Sequence, residues 1–119
     1  MSIIPAIYNF EHHYKGSSIL PLHIKTNFDI TGAIITCQIK LEANTPAIHE
    51  WKTGTNITII SAITGEFTLN QVDVFDPEPG KYIYDLQITF ADGTSETYMK
   101  GKICVIQDIT DWYGNKSNT

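Results

Sequence analysis

Apolar and polar positions alternate most regularly between Pro79 and Val105. Tyr82, Tyr84, Leu86, Ile88 and Phe90 fall on one parity, and Ile83, Asp85, Gln87 and Thr89 on the other. Period-two alternation in aromatic and β-branched side chains predicts a strand with one buried face. Pro79-Gly80 opens that strand as a turn. Asp92-Gly93 predicts a tight hairpin into a second antiparallel strand, from Tyr98 to Val105. An apolar face of this size on a two-stranded ribbon needs a second layer to cover it.

The rest of the chain supplies shorter strands. Leu20, Leu22 and Ile24 alternate with Pro21, His23 and Lys25, and Pro21, which has no N–H, assigns this strand to an edge. Ala33 to Glu42 follows, with Ile35, Cys37, Ile39 and Leu41 on one face and Ile34 alone on the other. Ala47 to Thr53, holding Ile48 and Trp51, is short and weakly patterned. Turns at Gly54 and Gly65 set off Ile57–Ile60 and Glu66–Leu69, and residues 70–78 read as a crossing loop or one helical turn. About seven strands, turn signals roughly every ten residues and no amphipathic helix predict an all-β protein. Its expected form is an immunoglobulin-like antiparallel β-sandwich over residues 15–110, with a small barrel as the structural competitor.

The two ends depart from this pattern. Residues 1–14 read as an N-terminal arm or extension, in which Ile3, Ile4, Ile7, Tyr8 and Phe10 are too apolar for a free tail. Such a segment either packs on its own domain or pairs with a neighbouring subunit. Residues 111–119 are polar past Trp112 and Tyr113 and are expected to fray as a C-terminal tail. The arm residues together with Trp112 and Tyr113 are the expected partner contacts, being large, apolar and outside the strand pattern. The first ten residues lack a positive n-region and are interrupted by Pro5, which argues against a signal peptide. No apolar run reaches the length of a membrane-spanning helix. A protein made in a cytoplasm, without a membrane partner, is expected.

Composition and charge narrow the chemistry. A chain of 119 residues can bury a core without metal or disulfide support. Its net charge is −5 and its lysines never cluster along the sequence, which argues against nucleic-acid binding. Cys37 shares the core parity of its strand, whereas Cys104 is out of phase with Ile103 and Val105, so two reduced thiols are expected. His12-His13 point to opposite faces of an extended chain and read as a solvated pair. Asp73, Asp76 and Glu78 are the nearest approach to a calcium loop, but Val74, Phe75 and Pro77 fill the intervening places, unlike an EF-hand. No nucleophile elbow and no glycine-rich phosphate loop occurs, so neither enzymatic activity nor a cofactor is expected. The alternative reading is a carbohydrate-binding β-sandwich that stacks sugars on Trp51, Tyr8, Tyr98, Trp112 or Tyr113.

The ordered set of motifs resembles a known family. Lys15-Gly16-Ser17-Ser18-Ile19-Leu20-Pro21-Leu22, Phe28-Asp29-Ile30-Thr31-Gly32-Ala33 and Ile39-Lys40 come first. Thr64-Gly65-Glu66-Phe67-Thr68-Leu69, Gly80-Lys81-Tyr82-Ile83-Tyr84-Asp85 and Asp92-Gly93-Thr94 follow, then Gly101-Lys102-Ile103-Cys104-Val105 and Asp108-Ile109-Thr110. In this order they are similar to the N-terminal immunoglobulin-like module of phage baseplate upper proteins, over residues 15–110. The resemblance implies a non-enzymatic virion structural protein of phage or prophage origin, in the tail, baseplate or head–tail region. It implies docking to other virion proteins, assembly in several copies, and location in the virion after synthesis in the host cytoplasm. Members of that family continue past the module into a receptor-binding region. The sequence in hand carries the module alone, so an adaptor, plug or decoration role is expected. The resemblance transfers no catalytic residue.

Overall fold

The structure, a computed structural model, describes residues 6–7 and 10–107. Among the described residues nine strands follow one another: β1 (Ala6–Ile7), β2 (Phe10–Tyr14), β3 (Leu22–Lys25), β4 (Ile34–Lys40), β5 (Ala47–Lys52), β6 (Ile57–Ser61), β7 (Glu66–Leu69), β8 (Gly80–Thr89) and β9 (Ser95–Ile106). They form two sheets. The larger runs β1-β9-β8-β4-β5, with β2 also paired to β9, and the smaller runs β3-β7-β6. The chain crosses between sheets after β2, β3, β5 and β7. The resulting orders, β3-β7-β6 facing β9-β8-β4-β5, are those of an immunoglobulin sandwich. The seven strands expected from the alternation are β3 to β9.

The long ribbon forms as its pattern predicts. Tyr82, Tyr84, Leu86 and Ile88 are buried, and their odd-numbered neighbours face outward. Across the interface lie Phe67 and Leu69 of β7, with Ile35, Cys37 and Ile39 of β4 beside them in the large sheet; Phe67, Ile35, Ile39, Leu86 and Ile88 are fully enclosed. Each such side chain contributes about 1.5–3 kcal/mol by leaving water. One bulge interrupts the ribbon: Leu86 faces Met99 while Gln87 faces Thr97, which leaves Tyr98 as the extra residue. Tyr98 turns edge-on to Phe28 at a centroid distance of 6.1 Å and closes that end of the core.

Tyr82 locks the entry to β8. Its hydroxyl donates to the Glu78 carbonyl oxygen at 2.6 Å, four residues upstream. This is the tyrosine-corner bond found at the same place in immunoglobulin sandwiches.

Four local details refine the expected pattern. The expected Asp92-Gly93 hairpin forms, with a three-residue loop. Phe90 N–H donates to Thr94 O and Gly93 N–H to Phe90 O, enclosing a three-residue loop in which Gly93 alone has positive φ. That is a type I turn followed by a left-handed glycine, and Asp92 Oδ1 braces it by accepting from Thr94 N–H and Oγ1–H. Leu41 does not join the core face, because β4 ends at Lys40, and it is exposed. Of the two forms expected for residues 70–78 the crossing loop is the one observed, and it buries Phe75. Finally, Ala6–Ile7 and Phe10–Tyr14 are strands, paired in parallel with β9. The described part of the expected arm therefore packs on its own domain.

Pro21 stands where expected, directly before edge strand β3. Thr26 N–H donates inward to Gly65 O, so alternation turns the backbone groups of residues 21, 23 and 25 to the open side, where proline loses nothing. The free edge of β5 is partly sealed. The Asn56 side chain accepts from Lys52 N–H at 2.7 Å and donates to Glu50 O at 2.9 Å, replacing the ladder that a further strand would make.

Candidate functional site

Two concave regions stand out. The first is an apolar cavity of about 280 Å³ between the sheets, reached past Leu20 and Pro21 and lined by Cys37, Ile39, Trp51, Leu69, Tyr84 and Met99 among others. Its titratable members are Cys37, His13 and Tyr84. Burial, with a smaller contribution from the Asp85 charge, pushes the Cys37 thiol up to about 12, so it stays protonated and is a poor nucleophile. His13 lies half-buried, edge-on to Phe75 at 5.1 Å, with Nε2 3.2 Å from the Phe75 carbonyl oxygen. The expected solvated pair is thus corrected at His13, whose strand turns it onto the crossing loop. This cavity can hold an apolar group, and its described lining brings no carboxylate, lysine or arginine to it.

The second region is the outer face of the large sheet, built by the strand register. Lys102 of β9, Ile83 of β8 and Lys40 of β4 form one row. Lys100, Asp85, Gln38 and Glu50 form the next, in which Gln38 Nε2 donates to Glu50 Oε2 at 2.6 Å. Lys52 and Lys81 point to the same side. Among the described side chains, five of the chain's eight basic residues therefore share one face with the two carboxylates Asp85 and Glu50, on a chain of net charge −5. The lysines are dispersed along the sequence, and pairing of four strands gathers them in space. A groove of about 530 Å³ crosses this face between Ile7, Ile83, Lys40, Lys100 and Lys102. Ile7, on the edge strand beside Lys100, is 71% exposed.

The residues expected to touch partners are distributed as follows. Ile7 is exposed at the groove, and the Phe10 backbone pairs with Ile103. Ile3, Ile4, Tyr8, Trp112 and Tyr113 lie outside the described residues. Of the sugar-stacking candidates, Trp51 is buried and its Nε1–H donates to Asn70 O at 2.9 Å, and Tyr98 is half-buried against Phe28. Trp51 is therefore withdrawn from any surface platform. Among the acidic residues of the crossing loop, Asp76 pairs with Lys15 at 2.7 Å and Asp73 accepts from Gln71 Nε2 at 3.4 Å. No group of three or more metal-ligating side chains converges among the described residues. Cys37 pairs with buried Leu86 and Cys104 with exposed Lys81, so the free thiols face opposite sides of the sheet as their phases imply.

Sequence reasoning missed Ile83, Lys40, Lys100 and Lys102 as a group. Their outward parity was readable, but their adjacency depends on register across three strands. No helix among the described residues is long and apolar enough to cross a membrane. No protein-family model matches the chain, and no curated protein matches it.

Proposed function

We propose that this protein is a non-enzymatic docking module of a phage virion, placed in the tail, baseplate or head–tail region and built into it in several copies. The observation that carries the docking reading is the outer face of the large sheet: exposed Ile7 and Ile83 set among Lys40, Lys100 and Lys102. Apolar contact area ringed by charge is the composition of a partner-binding patch. The virion assignment rests on the ordered motifs of residues 15–110 and their resemblance to the baseplate module. The immunoglobulin-type sandwich agrees with that resemblance, but a fold alone hosts many functions. A sugar-binding role loses support with the burial of Trp51.

Mass spectrometry of purified particles from the strain encoding the chain tests the assignment. The protein is expected as a stoichiometric component that survives density-gradient purification. Its absence from particles, with the protein abundant in the lysate, would overturn it.

A further inference from the structure

We infer that the lysine-rimmed groove receives the acidic crossing loop of a second copy of this chain, so that copies associate head to tail. The inference rests on the docking reading above and assigns that face its partner. Three observations support it. The groove joins apolar Ile7 and Ile83 to Lys40 and Lys100, both on the outward side of their strands. The crossing loop carries the complementary pattern: Val74 is 65% exposed, exposed Asp73 precedes it and exposed Glu78 lies four residues on. The charges also divide in the sense that self-association needs. Among the described residues five lysines gather on this one face, on a chain whose net charge is −5.

The loop is held in shape for such a contact. Val72 and Ile19 exchange backbone hydrogen bonds, Phe75 N–H donates to Ser17 O, and Phe75 is buried as an anchor. Val74 therefore projects from a fixed base, and little ordering entropy is lost on docking. Groove and loop are different surfaces of one molecule, so the contact is heterologous. Repeating it yields a closed ring or an open filament rather than a two-fold dimer. Opposite charges across the contact favour encounter and register, and salt weakens it.

The test is light scattering behind a sizing column over a concentration series, at roughly 50 mM and roughly 500 mM salt. Wild type is expected to associate with concentration and less so at high salt. Lys40→Glu/Lys100→Glu and Asp73→Lys/Glu78→Lys should each weaken association about tenfold or more. An equimolar mixture of the two should recover a complex, because each supplies the surface the other has lost. Lys25→Glu, on the small sheet, is the control and should leave association unchanged. Circular dichroism establishes that every variant is folded, and Lys100→Gln offers a milder change if the double variant is not. A wild type monomeric at about millimolar concentration, or association indifferent to both charge reversals, overturns the inference. So does retention of a duplex DNA oligonucleotide by a monomeric wild type that Lys40→Glu/Lys100→Glu abolishes, since the face would then serve a polyanion. A monomer still captured by purified particle proteins overturns head-to-tail pairing while leaving the docking reading intact.

Discussion

Gly65→Ala should be among the most damaging single-methyl additions in the molecule. Gly65 is buried in the turn between β6 and β7 at φ +70°, a conformation that costs alanine about 1–2 kcal/mol. A Cβ there would overlap both the Thr26 hydroxyl and the Phe28 carbonyl oxygen. The Thr26 hydroxyl donates to Phe28 O and accepts from Phe28 N–H, so displacing it disturbs two hydrogen bonds. The Gly65 carbonyl also accepts from Thr26 N–H at 2.9 Å, which ties the turn to the end of β3. Together the strained backbone, the overlap and the disturbed bonds should cost about 3–5 kcal/mol, a large share of a domain's usual stability. Urea unfolding followed by tryptophan fluorescence, with buried Trp51 as a reporter, should show the midpoint falling by about 2–3 M. Adding Thr26→Ala should recover only part of the loss, because the Phe28 carbonyl remains in the way. A Gly65→Ala protein within about 1 kcal/mol of wild type would refute this reasoning about the turn.

Other outcomes follow from single contacts. Tyr82→Phe deletes the bond to Glu78 O and should cost about 1–2 kcal/mol, lowering the melting temperature by roughly 4–8 °C with little change in β-sheet circular dichroism. His49 is half-buried, edge-on to Trp51 at 4.4 Å, and its Nε2 has no hydrogen-bond partner. Burial holds its pKa below the ordinary 6.5, against a smaller opposing pull from Glu50. The unfolded chain therefore binds the proton more readily, so stability is full above about 6.5 and falls as pH drops below it. Thermal melts from pH 7.5 down to 5.5 should show that loss shrinking in His49→Gln. Native protein should react with a thiol reagent faster at half-buried Cys104 than at enclosed, protonated Cys37, and both should react once unfolded.

Local pattern made much of the fold legible. The ribbon, the buried parity of β4 and β8, the edge position of Pro21 and the opposite phases of the cysteines all follow from alternation and turn chemistry. Features set by non-local pairing were not legible. β2 is broken by an irregularity between Phe10 and His13 and pairs in parallel with the last strand, far away in sequence, so its own pattern does not announce it. In β5, Ile48 and Trp51 lie on opposite parities, and only the pairing of Trp51 with Cys37 shows which of them is core. Phe75 sits in a loop without periodicity and is buried because the loop crosses the open end of the sandwich. The lysine face required the register of four strands.

The measurement that bears most directly on the docking account is lysine acetylation footprinting of the free protein and of assembled particles, read by mass spectrometry. Lys40 and Lys100 should react in the free protein and be protected in particles, while Lys25 on the small sheet reacts in both. Equal reactivity of the groove lysines in both states, or protection confined to Lys25, would contradict it.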